Sequence, residues 1–381
     1  MASSSSSKPG AAKRLQTSTA STLALCNQLA ASLDTIYKDP SSAVGPSTDL
    51  NIVPLDLARD AATLVRAHAT KLSLLLLNEP FTPSAVADVL QQLLAGGPLL
   101  GLASAAEACD AARYTAFFRK ELAWRARRVL LSLVELVGKI PQHGVAGGAG
   151  DKSSLPATGI LWAACDDVVA LVGGGIGGYF VKSLEEWQDT LKDVSEELRD
   201  WGDEEPDGDD DDNDNDDNDD DDDDNDDKAH EPNTDIQDTA SSTQAMLDDF
   251  MSAGQAIPLD DPHSIRPRLE STLRRVRLVV LLYQAISKRR LRKLPPLPPS
   301  STSNLPQRLD EAAQVLGALP DAFGDLASAF YDMEPTPIDR VAEDCFVKAC
   351  AAGELLRVAW DGGEDEFSEW TEKFKAEIKK S

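Results

Sequence analysis

Aromatic side chains are scarce in this 381-residue chain, at 6%, and methionine, histidine and cysteine number only four, four and five. The four histidines (His68, His143, His230, His263) stand in unrelated contexts, none at a metal-ligand spacing from cysteine, aspartate or glutamate. His68 falls on the apolar stripe of a helical pattern, where a hydrogen-bonded core or boundary histidine is expected; His143 and His230 fall in loop-like sequence. No G-x-S-x-G, Walker A or H-E-x-x-H pattern occurs. The run Gly173–Gly178 lacks the Walker lysine and follows a helical pattern instead of a strand. The chain is therefore read as non-enzymatic, with no catalytic, cofactor-binding or metal residues.

Cys26, Cys109, Cys165, Cys345 and Cys350 are odd in number, include no C-x-x-C pair and sit in apolar helical patterns. Reduced core thiols in a reducing compartment follow. The Ser-rich start, Met1 to Gly10, has no apolar segment of the signal-peptide kind. The longest Leu-rich stretches, Leu72–Leu77 and Val129–Val137, fall short of the ~20 residues a membrane span needs. Nucleus and cytoplasm are the expected locations, with no membrane partner.

Alanine and leucine are abundant and valine, isoleucine and tyrosine scarce, a balance that favours helix. No run of period-two alternation appears. Steps of three and four recur instead, as in a coiled-coil seam: Leu50, Val53, Leu57, Ala61, Leu64, His68, Leu72 and Leu75, then Phe180 to Trp201, Leu305 to Phe330, and Phe367 to Ile378. Helices are predicted near 15–38, 50–78, 83–111, 113–139, 157–172, 180–201, 237–253, 264–292, 303–333, 338–360 and 364–379. Gly96-Gly97-Pro98 should bend or split the third, Pro320 should kink the ninth, and Gly144–Gly150 and Gly173–Gly178 should be connections.

The formal net charge is −28, yet 19 acidic and no basic residues lie between Asp203 and Asp227, and the remainder carries −9. Such a run has nothing apolar to offset chain entropy. It could be a solvated spacer, or could attract cations or basic proteins in a salt-sensitive way. The expected fold class is all-α: two up-and-down antiparallel helix bundles joined by a disordered acidic linker. The parts are a disordered N-terminus (1–14), an N-terminal bundle (15–201), the Asp-rich linker (202–235) and a C-terminal bundle (236–381) with a Pro-rich inter-helix linker at 294–303.

Residues 264–294 are the opposite in sign: Arg266, Arg268, Arg274, Arg275, Arg277, Lys288, Arg289, Arg290, Arg292 and Lys293 face only Glu270. Lys288, Arg289, Arg290 and Leu291 fit a short cyclin-docking pattern, and Lys288–Lys293 a nuclear-import signal. The same cations could simply complement a helix C-terminal dipole. Overlapping them, Arg292, Leu294, Pro295 and Pro298 fit the R-x-L-P-P-x-P pattern of an SH3 ligand, in which a polyproline helix presents its rings to aromatic grooves. The basic stretch lacks interleaved aromatics, so direct nucleic-acid binding is not expected.

Several segments are similar to a known family. Trp162–Asp166, Lys182-Ser183 and the acidic helix through Asp189, Val194 and Glu197 resemble the cyclin-D-binding proteins, also called GCIP (Grap and cyclin-D-interacting protein). Leu309–Glu311, Asp325–Ala327 and Tyr331–Pro335 resemble its C-terminal part, and Ala61–Leu64 and Arg127–Leu136 occur in family-like order. The resemblance implies bundles of the talin and vinculin type. It also implies a regulator that binds D-type cyclins or helix-loop-helix factors and restrains cell-cycle progression or transcription. It carries over no site residue. Two other classes stay open at this point: a talin-like cytoskeletal scaffold, and an acidic histone-binding protein.

Overall fold

A computed structural model describes residues 8–42, 53–141, 154–204, 256–298 and 304–380. Every regular element among them is helical, so the described residues are all-α. The helices are α1 (Lys8–Lys38), α2 (Pro54–Leu77), α3 (Pro83–Ala95), α4 (Pro98–Ala108), α5 (Ala111–Tyr114) and α6 (Ala116–Gly138). They continue with α7 (Ser154–Asp203), α8 (Ile265–Arg289), a 3-10 turn at Leu291–Lys293, α9 (Leu305–Tyr331), α10 (Pro335–Leu355) and α11 (Glu366–Ile378). Proline opens α2, α3, α4 and α10, where its missing N–H would have no helical partner anyway. Gly97, at φ 77°, breaks α3 from α4 where Gly96-Gly97-Pro98 predicted a break. The acidic run from 205, the helix expected at 237–253, His143 and His230 lie outside the described residues.

The connection expected at Gly173–Gly178 is a kink: two helical arms, written together as α7, meet at Gly175, whose φ of 65° and ψ of −175° are non-helical. The buried Leu171, Val172, Ile176 and Phe180 on either side anchor both arms and outweigh the poor helix propensity of glycine. One expectation needs correction, because not all apolar stretches are short. Residues 83–108 and a window of α7 are long and apolar enough to cross a membrane by length and composition. A count of leucine runs misses them because alanine, glycine and valine supply much of their apolarity. The first is split at Gly97, and about half of each window, 50% and 44%, is buried against other helices.

The chain falls into two compact units that are interleaved along the sequence, where the sequence predicted successive bundles. The first comprises residues 1–186, 283–317 and 351–371; the second comprises 187–282, 318–350 and 372–381. In the first unit α1 packs on α3, α4 and α6, and α2 packs on α3 and α4. Small side chains let these helices approach closely. Ala58, Ala61, Ala62 and Ala69 are buried on α2, and a methyl group on Gly101 of α4 would lie 3.2 Å from the Ala61 side chain. The buried stripe of α2 is thus rotated from the predicted one: Leu64 is 49% exposed and Val65 buried.

In the second unit Trp201, Phe323, Phe330 and Phe346 form the core with aliphatic residues. The Trp201 and Tyr331 rings meet edge to face at 5.3 Å, and the Tyr331 hydroxyl donates to Glu197 at 2.9 Å. Arg266 donates to the Gly202 and Ile257 carbonyls, and Asp261 accepts the first N–H groups of α8, from Ile265 and Arg266.

Pro320 does not stop α9. It removes the N–H that would reach the Leu316 carbonyl four residues earlier, and the buried Tyr283 hydroxyl donates to that carbonyl at 2.6 Å instead.

All five cysteines are free; four are buried and Cys350 is half-buried. Burial pushes the Cys26, Cys109, Cys165 and Cys345 thiols up to about 12, which makes them poor nucleophiles.

Candidate interaction surfaces

One cation at the basic end of α8 is structural. Arg290, 1% exposed, spans both Asp365 carboxylate oxygens at 2.8 Å, donates to the Leu356 and Arg357 carbonyls, and lies over the Phe367 ring at 4.4 Å. Arg308 donates to the Leu355 and Val358 carbonyls, so two arginines satisfy the carbonyls that the end of α10 leaves open. Arg119 does the same after α1 and α4, donating to the Pro40, Ser42 and Ala106 carbonyls.

Of the candidate docking residues, Lys288 is exposed, Arg289 pairs with Glu366, and Arg290 and Leu291 are buried. A partner that reads Arg290 and Leu291 therefore has no access to them in the folded unit, because the guanidinium is already committed to Asp365. The SH3-type residues fare better: Arg292 and Pro295 are exposed, and Leu294 and Pro298 half-buried. Leu294 lies against the backbone of Gly177 in α7, which leaves the prolines on the outer side of the segment.

His68 is half-buried, and its Nδ1 has no partner among the described residues, contrary to the satisfied histidine that was expected. Burial, with Lys71 nearby, lowers its pKa and favours the neutral ring. No group of three or more metal-ligating side chains occurs among the described residues.

The first unit also carries a cleft that motif reading missed. It has a volume of about 420 Å³ and is lined by Tyr37 at the end of α1, Phe117, Lys120, Glu121 and Trp124 of α6, and Tyr179 of α7. Steps of three and four along α6 bring its lining residues to one face. The start of that helix is fixed from a distance: Asp310 of α9 accepts the N–H groups of Ala116 and Phe117 at 2.8 and 2.9 Å, and the Thr115 hydroxyl accepts that of Phe118. Phe117 stacks on Tyr179 with centroids 4.8 Å apart. Burial, then the neighbouring Glu121 carboxylate, holds the Tyr179 hydroxyl well above its usual range, so it stays protonated.

Charge in the cleft is almost entirely internally paired. Glu121 is bound to Arg125 at 2.6 Å, and Arg128, bound to Asp167, lies 5.7 Å from the centre of the Trp124 ring. Lys120 lies over the Tyr37 ring at 5.0 Å and has no ion pair among the described residues. Trp124 is 40% exposed and Tyr37 37%. The Trp124 indole N–H has no hydrogen-bond partner among the described residues.

Residues 58–204 match the family model described as Grap2 and cyclin-D-interacting, N-terminal. This supports the resemblance over that stretch. The chain is also similar to an uncharacterized protein of Schizosaccharomyces pombe, 26% identical over 148 residues, which is 38% of this chain and 43% of that protein. The chain therefore spans less than half of the curated relative it matches.

Proposed function

We propose that this chain is a non-enzymatic interaction protein that binds D-type cyclins or helix-loop-helix factors and so restrains cell-cycle progression, in nucleus and cytoplasm. One observation carries the reading: the stretch matching the cyclin-D-interacting family, 58–204, holds every residue lining the aromatic cleft except Tyr37. An open cleft of aromatic rings on rigid helices is the kind of surface that supplies binding energy at protein interfaces, where tryptophan and tyrosine dominate.

Calorimetry of the full chain with a purified D-type cyclin, and separately with a helix-loop-helix factor, tests this. Saturable binding to one of them, weakened about tenfold or more by Trp124→Ala, is expected. A chain that binds neither would overturn the reading. A second partner class is supported by the exposure of Arg292 and Pro295: an SH3 domain at the Pro-rich segment. Binding of an SH3 domain lost in the Arg292→Ala, Pro295→Ala, Pro298→Ala variant, with cyclin binding retained, would assign that segment to a separate contact.

A further inference from the structure

The cleft's chemistry restricts what it can hold. Its lining offers aromatic faces and hydrogen-bond donors; its one carboxylate, Glu121, is bound to Arg125, which leaves the tyrosine hydroxyls as its neutral acceptors. The donors without a partner among the described residues are the Trp124 indole N–H, the Tyr37 hydroxyl and, above the Tyr37 ring, the Lys120 ammonium. A ligand that suits this site is apolar, rich in acceptors and poor in donors.

Three kinds of peptide can be compared on that basis. An extended strand needs acceptors for a row of its own N–H groups, and the cleft offers only tyrosine hydroxyls. A helix has its carbonyls satisfied internally, so the indole N–H would be buried without a partner, which costs about 1–3 kcal/mol. A polyproline II segment has no internal hydrogen bonds: its prolines bring no N–H, their carbonyls are open, and their rings are flat enough to lie on tyrosine, phenylalanine and tryptophan. Its backbone is already ordered, so little entropy is lost on docking.

The volume of about 420 Å³ lies within the ~300–1,000 Å³ range of ligand pockets. Electrostatics add a sign. Lys120 is the one lining charge without an ion pair among the described residues, so an acidic residue beside the prolines would complement it and a basic one would be repelled.

From this we infer that the cleft bounded by Tyr37, Phe117, Trp124 and Tyr179 is a docking site for a proline-rich segment of a partner protein, with an acidic side chain beside the prolines and next to Lys120. The inference rests on reading the cleft as a binding face. It specifies the ligand's chemistry, which the family match does not.

The test is a titration of the full chain with a synthetic octaproline peptide carrying two aspartates at one end, followed by calorimetry and by tryptophan fluorescence. Saturable binding is expected. It should weaken at least about tenfold in Trp124→Ala, less in Trp124→Phe, which keeps a ring and loses the donor, and several-fold in Lys120→Glu. Replacing the aspartates by lysines should weaken it too. Trp124 and Lys120 are both exposed, and circular dichroism of each variant shows whether it is folded. Absence of saturable binding to the unaltered chain overturns the inference. So does equal binding by a folded Trp124→Ala variant, or a preference for an amphipathic helical peptide over octaproline. If cyclin binding is lost in Trp124→Ala while octaproline never binds, the ligand class is refuted and the proposed function stands.

Discussion

At the scale of single residues, the informative positions are buried polar groups that repair a backbone defect. Tyr283 is one. Its hydroxyl occupies the Leu316 carbonyl that Pro320 leaves open. Tyr283→Phe should cost about 1–3 kcal/mol in urea unfolding, since a buried carbonyl then goes unsatisfied. In a Pro320→Ala background the helix regains its own N–H at that carbonyl, and the cost of Tyr283→Phe should shrink. Equal costs in both backgrounds would show that the hydroxyl does not substitute for the missing N–H.

Arg290 is another. Removing its partner by Asp365→Asn leaves a buried guanidinium with half of its compensation, and a loss of about 3–5 kcal/mol at neutral pH is expected. The same pair sets an acid limit. The Arg290 guanidinium, aided by the Ser368 and Phe367 N–H groups, holds the Asp365 carboxyl well below its ordinary value of 3.8. The unfolded chain therefore takes up the proton first, so this contribution is complete above about pH 4 and is lost as the pH falls through the folded value. The pH dependence of stability below pH 4 should be flatter in Asp365→Asn than in the parent chain. An unchanged slope would mean that the pair does not govern it.

At the scale of helices, glycine and the caps do the shaping. The backbone at Gly175 has a φ of 65° with an extended ψ, a region that residues with a Cβ avoid, while the space around it is open. Gly175→Ala should thus lower stability by about 1–3 kcal/mol through backbone strain alone, read as a lowered thermal midpoint; an unchanged midpoint would show that α7 can straighten there. The start of α6 depends on Asp310, whose half-buried carboxylate accepts two backbone N–H groups. Asp310→Ala should cost about 0.5–2 kcal/mol and speed amide exchange at Ala116 and Phe117. Because Phe117 lines the cleft, the same variant should weaken ligand binding without touching the ligand.

At the scale of the whole molecule, interleaving is the main feature. Residues 283–317 and 351–371 complete the unit that residues 1–186 begin. A cut within 202–235 therefore cannot release two closed halves: each half lacks part of a core. The nicked chain should elute as one species in native buffer and part only in denaturant. Two separately folded fragments would show that each half closes on its own. The acidic run accounts for most of the net charge; in the basic stretch that ends α8, Arg290 is committed to Asp365 while Lys288, Arg292 and Lys293 are exposed.

Much of this was legible in sequence because it depends on near neighbours. Helix content and position follow from apolar residues three and four apart, from proline at first helical positions and from the break at Gly97. These are local signals, set by the geometry of one helical turn. What depended on groups far apart was not legible. Arg290 looks like part of a surface motif until Asp365, 75 residues on, is brought to it; Asp310 meets α6 across more than 190 residues; and Tyr37 joins Phe117 and Trp124 only when α1 packs on α6. The rotated stripe of α2 has the same origin, since two of its faces are apolar enough to be buried and only the close approach of α4 at Gly101 selects one. The sequence alone thus determined that the chain is helical and where most helices begin and end, because the signals that start and stop a helix lie within a few residues of one another. Which faces are buried, which arginines are structural and where a cleft opens were decided by the tertiary packing, because those energies arise between helices and carry no local sequence pattern.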